Sequence, residues 1–559
     1  VTSAHNLTAV VQSSPTVTLH VKSATLTLDE SQRPYGEITL VCARPSDAEL
    51  VLVDPRVALR VLVTQTRDGV SRVWNLLLHE RRIDHTPAET TFILRTDEAL
   101  LIDAGRAATT PDTTAEAYTA SLRALINNVL AGFGATLQTG TADKTYYTDA
   151  TNLCANPQLG VDIANWARGT GTGGVSTFAR AAVSAFSNWA VMTFTTAPTG
   201  LSSGVYYYAG YGVAGSMPVT PGKYYTALIY GHVDWAGAGT RAVLYWYNAA
   251  NGIVSSATGT TVVHASGAVE TRTVSALAPA GAAYARVDFQ HASGTLPTVG
   301  KKMSATGLTF VEGRRVPFYF DGATASDANY SYAWTGPAHQ TTSRRIATNG
   351  VSLDLFAQQP GQTSWDFVAP LVEASGLRFY CDEARRWYLV AADLLVDGTV
   401  VVASGFNAVE GTETISRSEE WYDSVVVRYA WTDSTGTRRE AFDAAGTGGR
   451  VLTVDRDTPW PGVGAAVAIR GRAEGKGRVL DLTAIADPDV TPWKSLSVTL
   501  PTTPTQTGIV TSVTFDYPDD LMTVKSRGLT DTPLESWLSA PDSLLWNSLA
   551  DAITWNTYA

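Results

Sequence analysis

One discontinuity constrains this chain more than any other feature. From Asn152 to Ser343, 17 of 192 residues carry charge, about 9%. The other 367 residues hold 31 basic and 45 acidic groups, about 21%. Aromatic residues run the opposite way: 25 of the 53 Phe, Trp and Tyr fall inside the middle segment and 28 outside it. A net charge of -11 therefore divides into -14 for the flanks and +3 for the middle. Such a break points to a neutral, aromatic domain inserted into an acidic one, since domain insertions succeed at exposed loop tips.

Composition excludes several classes. At 45% hydrophobic and 17% charged, the chain is too apolar for a disordered protein. Its acidity argues against stable nucleic-acid binding and against grip on an anionic membrane. No run reaches the roughly 18 uncharged apolar residues of a membrane span. The opening residues lack the charged-then-apolar pattern of a Sec signal. Cys42, Cys154 and Cys381 are far apart, form no CxxC, and read as buried small hydrophobes.

The flanks read as strands. Val17, Leu19 and Val21 alternate with polar residues, as do Val57, Leu59, Val61 and Val63, then Trp74, Leu76 and Leu78, then Phe92 and Leu94. A helix is expected from Thr113, with Glu116 at capping-box spacing, Leu122, Leu125, Ile126 and Val129 on one face, and Gly132 and Gly134 ending it. The second flank predicts a strand at Val351–Leu355, a helix from Thr363 to Ala374 stopped by Gly376, and a hairpin around Asp382-Glu383. Further strands are expected at 424–429, 463–469, 479–485, 496–500 and 508–517. The middle segment has many short β runs punctuated by Gly, Asn and Pro, which suits a β-sandwich of the jelly-roll kind.

The expected fold class is thus mainly β with a few short helices: two β-barrel domains split by an inserted β-sandwich. The expected divisions are 1–108 for the first barrel, 109–151 for a helical joining segment and 152–343 for the insert. A helix–hairpin segment then covers 344–400, the second barrel 401–532 and a tail 533–559. In that tail Trp537, Trp546 and Trp555 recur every nine residues. Tryptophan is enriched at interface hot spots, which makes this repeat a partner-docking candidate alongside simple packing on the parent core.

Catalytic motifs are scarce. His79-Glu80 begins like a zincin helix, but Ile83 stands where the second His belongs. The glycine-rich runs at 169–174 and 471–477 lack the Lys-Ser/Thr of a P-loop, and there is no Gly-x-Ser-x-Gly elbow. Glu419-Glu420 and Asp519-Asp520 are adjacent pairs whose members face opposite sides of a strand, unlike the facing carboxylates of a glycosidase. The middle segment has only seven carboxylates, among them Asp288, and a catalytic pair within that set stays open.

Its aromatic groups are more suggestive. Flat rings bind the C–H faces of sugars while nearby polar groups take the hydroxyls. Trp189, Tyr206, Tyr208, Tyr211, Trp235 and Trp246 are the candidates, beside core packing for any single ring. In a strand Tyr206 and Tyr208 share a face, and Trp246 opposes its neighbours Tyr245 and Tyr247.

The insert opens Asn152-Leu153-Cys154-Ala155-Asn156-Pro157, with Trp166 following. It closes with Tyr319-Phe320-Asp321-Gly322, then Tyr330 to Gly336, then His339 to Ser343. These bookends resemble the jelly-roll, carbohydrate-binding-like domains within minor tail proteins of siphophages that infect Actinobacteria. The flanks are similar to tail-hub or baseplate-hub proteins at Thr27 to Glu30, Pro34-Tyr35, Glu37 to Val41 and Gln362 to Val390. The resemblance implies a structural protein of the virion tail tip, a hub of two tail-tube-like barrels assembled as a homotrimer, and no enzyme activity. It implies as partners the distal tail protein, the tape measure and other tail-tip proteins, with host cell-wall or surface glycan bound by the insert. It implies no cofactor except a structural calcium. Related modules carry Glu shortly after Asn-Pro, where this chain has Leu159-Gly160, and that departure stands against calcium. Two other functions stay open: an enzyme that degrades cell-wall polysaccharide, and a purely structural subunit with a decorative insert.

Overall fold

The computed structural model describes residues 5–531 apart from 87, 184–185, 209–215, 315–317, 417–420, 434, 475–476 and 502. The chain is mainly β and divides into two compact units. The first gathers the described parts of Val1–Thr110, Leu122–Lys144 and Gln358–Ala559; the second gathers Pro111–Ser121 and Thr145–Ala357. The low-charge stretch 152–343 falls within Thr145–Ala357 of the second unit. The expected joining segment is shared out between the two units.

In the first unit, strands from both ends of the chain form one 13-stranded sheet. Val21–Asp29 pairs with Gly36–Ala43 on one side and with Gln506–Tyr517 on the other, placing Leu26 opposite Phe515. Thr27 and Thr514 share a 3.1 Å hydrogen bond across 487 residues of chain. The regions expected as two barrels thus meet in one open sheet. They also share one core, running from Leu7 through Trp74 and Phe92 to Phe515 and Val524. Alternation within each strand supplies that core: in Gly36–Ala43, Ile38, Leu40 and Cys42 are all fully buried.

Several local expectations hold. Ser364–Ala374 is a helix, and the Thr363 side chain accepts from the Asp366 backbone N–H at 3.0 Å. Gly376 adopts φ +66 just beyond its end, the left-handed conformation that glycine reaches without steric cost. The hairpin Leu377–Cys381 with Trp387–Ala391 forms as expected. His79 and Glu80 lie in the strand Val70–Asp84, which rules out a zincin helix there.

Three elements differ. The helix expected from Thr113 is broken into a 3-10 turn, Thr114–Tyr118, and an α-helix, Leu122–Ala131. Thr113 makes no side-chain cap, and Glu116 accepts instead from the Arg314 backbone N–H at 3.2 Å. The strand expected at 463–469 is part of a helix, Ala465–Glu474. Its cap comes from a distant residue: Asp443 Oδ2 accepts from the N–H groups of Gly464 and Ala466, both at 2.9 Å. The strand expected at Val351–Leu355 is a 3-10 turn, Leu353–Phe356, whose Ser352 side chain caps Asp354.

The second unit contains two antiparallel sheets, of five and seven strands, whose inner faces share one core. Phe194, Ile229 and Phe310 come from one sheet; Tyr207, Leu244, Trp246 and Phe289 come from the other. A third, three-stranded sheet joins the two ends of the insert: Ala150–Asn152 pairs with Ser343–Ala347, which pairs with Tyr330–Trp334. Asn152 fastens this junction. Its Nδ2 donates to the carbonyls of Leu308 (3.0 Å) and Phe320 (3.1 Å), and its Oδ1 accepts from the N–H groups of Cys154 (3.1 Å) and Phe310 (3.0 Å). A fully buried amide with every such bond made is stabilising and specific at once.

Candidate functional site

The strongest candidate site lies on the outer face of the seven-stranded sheet, built on three neighbouring strands. Ser203–Tyr207, Tyr284–Gly294 and Ala238–Tyr247 run side by side, with Tyr206 opposite Asp288 and Arg286 opposite Tyr245. Val205, Tyr207, Val287, Phe289, Leu244 and Trp246 point to the core. Alternation therefore places Tyr206, Arg286, Asp288, Gln290, Arg241 and Tyr245 on the other face.

Arg286 is the centre of this face. Its guanidinium carbon lies 4.2 Å from the Tyr206 ring centroid and 4.4 Å from that of Tyr245. Its Nε and Nη2 donate to the two Asp288 oxygens, each at 2.7 Å, and Nη1 donates to the Tyr247 hydroxyl at 3.1 Å. Burial pushes the Asp288 carboxyl up to about 6 against the pull of Arg286. For Arg286, burial works against the charge and the Asp288 carboxylate more than offsets it, so its pKa is raised. Both groups are ionised at neutral pH, and the bidentate pair fixes the guanidinium plane.

Around this pair, Arg241 donates to Gln290 Oε1 through Nε (3.0 Å) and Nη2 (2.8 Å). Tyr208 stacks at a tilt on Tyr247, with centroids 4.9 Å apart, and its hydroxyl donates to Asn251 Oδ1 at 2.9 Å. Tyr206, Tyr208 and Tyr245 are half-buried. The arrangement presents ring edges and faces beside fixed donors and acceptors, the chemistry that suits a polyhydroxylated ring.

The candidates from sequence separate accordingly. Tyr206 and Tyr208 belong to this face. Trp189, Trp235 and Trp246 are buried: Trp189 sits edge-on to His232, Trp235 against Phe194 and His291, and Trp246 against Tyr225. They pack the unit's interior and offer no surface to a ligand. Tyr211 and the repeat of Trp537, Trp546 and Trp555 lie outside the described residues, as do Glu419 and Glu420. Arg286, Asp288 and Tyr245 complete the face. Their signal in the sequence is the shared parity of Tyr245 and Tyr247 with Arg286 and Asp288 along paired strands.

Other chemistry is structural. Asp520 accepts from Arg67 Nε at 2.9 Å. Cys42, Cys154 and Cys381 are buried free thiols. Gly160 faces His339 so closely that a Cβ there would meet the imidazole Cγ at 2.4 Å, so position 160 has no room for a larger side chain. Among the described residues, no group of three or more His, Cys, Asp or Glu could hold a metal ion, and no helix is long and apolar enough to cross a membrane.

No protein-family model and no curated protein matches the chain. Solved structures do. The chain is similar to the 43 kDa tail protein of prophage MuSo2 from Shewanella oneidensis, at 9% identity and a TM-score of 0.40, over 93% of this chain and 98% of that one. It is similar to the tail protein from Neisseria meningitidis MC58, at 8% identity and a TM-score of 0.37, over 93% and 96%. The CBM22-2 xylan-binding domain of Paenibacillus barcinonensis Xyn10C matches at 10% identity and a TM-score of 0.21, over 28% of this chain and 97% of that one. These TM-scores are low, and the functional reading rests on the residues instead.

Proposed function

We propose that this chain is a minor tail protein of a siphophage of Actinobacteria, with a scaffold that forms the tail-tip hub and an insert that binds host-surface glycan. The observation that carries the glycan reading is the Tyr206–Arg286–Asp288–Tyr245 array on the outer face of the second unit. Its half-buried rings stand beside polar groups already held in place, so a sugar would meet a preorganised surface. The tail reading is supported by the bookend motifs, which converge through Asn152 onto one junction, and by a scaffold whose two ends complete a single sheet. In this reading the hub is a homotrimer at the tail tip, in contact with the distal tail protein, the tape measure and other tail-tip proteins. Three weak glycan sites then gain avidity wherever one polymer spans them. No cofactor is assigned and no chemical step is required.

The test uses the purified full chain and cell-wall polysaccharide from a susceptible host. Tyr206→Ala and Tyr245→Ala are each expected to weaken binding about 5- to 10-fold, from lost stacking contacts. Unchanged binding in both variants would overturn the site. Release of reducing ends from the polysaccharide would replace this reading with the enzymatic one. A virion map without this chain at the tail tip would overturn the hub.

A further inference from the structure

The scaffold is acidic, yet its first unit holds a basic cavity. A space of about 380 Å³ is lined by five arginines: Arg33, Arg378, Arg456, Arg472 and Arg527. Among the described lining residues only Glu30 and Glu373 oppose them. Glu373 is taken by Arg456, at 3.2 Å, and by Arg472, at 3.5 Å; Glu30 is taken by Arg527, at 2.8 Å. Among the described lining residues no carboxylate is left for Arg33 or Arg378; outside the lining, the buried Glu98 attracts Arg33.

Arg33 donates from Nη1 to the backbone carbonyls of Glu30 and Gln32. Arg378 is only 8% exposed, and just its Nη2 is satisfied, by the Leu394 carbonyl at 2.8 Å. Among the described residues its Nε and Nη1 have no hydrogen-bond partner. Burial lowers its pKa. A buried guanidinium with two orphaned nitrogens is costly unless an anion completes it. Aromatic surface lies alongside: Arg378 is 3.8 Å from the Trp493 ring centroid, and Trp365 stacks on Phe379 at 5.5 Å.

We propose that this cavity binds a multiply charged oxyanion, bridged between Arg33 and Arg378, with the rest of the ligand resting on Trp365. A phosphate ester and the neighbouring carboxylates of an acidic peptide share this chemistry, and both fit the planar, bidentate donors that arginine offers. The cavity is within the size range of ordinary ligand pockets. The cavity belongs to the first unit and the proposed glycan face to the second, so this inference does not depend on that reading.

The experiment is calorimetric titration of the full chain at low salt with inorganic pyrophosphate, with citrate and with hexaglutamate. Saturable binding of at least one is expected, weakened by added salt. Arg33→Gln, at the half-buried rim, is expected to weaken it about 10-fold or more, and Arg378→Met further still. Circular dichroism checks that both variants are folded; Arg56→Gln, at an exposed surface pair outside the cavity lining, should leave the affinity unchanged. Tighter binding of hexaglutamate than of citrate assigns the natural ligand to an acidic peptide; a preference for pyrophosphate assigns it to a phosphate ester. Absence of saturation by all three up to ~10 mM, or equal binding by Arg33→Gln, overturns the proposal.

Discussion

Glu98 offers a direct test of how burial tunes this scaffold. The residue is fully buried in the first unit. Its carboxyl accepts from the backbone N–H groups of Tyr35 and Cys381 and from the Thr96 hydroxyl. Burial nevertheless dominates and pushes it from 4.5 up to about 7, against the pull of Arg33 and those three donors. The sign follows from linkage. The fold holds this proton more tightly than the unfolded chain does, so the contribution to stability is complete below about 4.5 and is lost as pH rises through about 7. At about 1.4 kcal/mol per pH unit, the loss amounts to about 3 kcal/mol. Glu98→Gln removes the titration. It also turns an amide NH₂ toward the Tyr35 or Cys381 N–H, which costs about 1–3 kcal/mol at every pH. The informative quantity is therefore the slope. Urea unfolding of the first unit, followed at pH 5 and pH 8 in both proteins, should show the natural chain losing about 2.5 kcal/mol more than the variant across that window. Equal losses in the two proteins would show that Glu98 is ionised throughout, and the reasoning from burial would fail.

Three further outcomes are expected. Asn152→Ala removes four buried hydrogen bonds at the junction of the insert and should lower the stability of the second unit by about 3–5 kcal/mol, read as a fall in its thermal midpoint. Gly231→Ala places a Cβ 2.1 Å from the ring of Phe289, which is fully buried; about 1–3 kcal/mol should be lost, seen as a lower urea midpoint without a changed slope. Asp443→Ala removes both bonds at the start of helix Ala465–Glu474 and should cost about 1–2 kcal/mol, with Asp443→Asn losing less because its amide oxygen still accepts.

What could be read from the sequence depended on how local the cause was. Strands with one buried face declare themselves through alternation, as Ile38, Leu40 and Cys42 do. The Thr363 cap acts across three residues and was equally plain. The helix Ala465–Glu474 was hidden because its cap, Asp443, lies 21 residues before Gly464 and belongs to another strand. The break after Tyr118 was hidden because Glu116 is drawn to Arg314, 198 residues away. At the site, parity showed that Trp246 and Tyr245 face opposite ways but not which faces out. That is decided by the second sheet, which covers Trp246 through Tyr225. Arg286 is an ordinary surface residue in sequence; only pairing of three strands sets it between Tyr206 and Tyr245.

The pairing of Val21–Asp29 with Gln506–Tyr517 has a consequence for biosynthesis. At ordinary elongation rates, the 487 residues that separate Thr27 from Thr514 take roughly 25 to 100 s to translate. Throughout that interval the nascent amino-terminal strands lack their neighbour along Val21–Asp29, and the unmet N–H and C=O groups there are open to any extended chain nearby. The residues that Asn152 bonds, as far as Phe320, are all synthesised before that partner strand. Synthesis of Gln506–Tyr517 is thus the step that completes this pairing, and a chain terminated anywhere before Gln506 keeps an unpaired edge along Val21–Asp29.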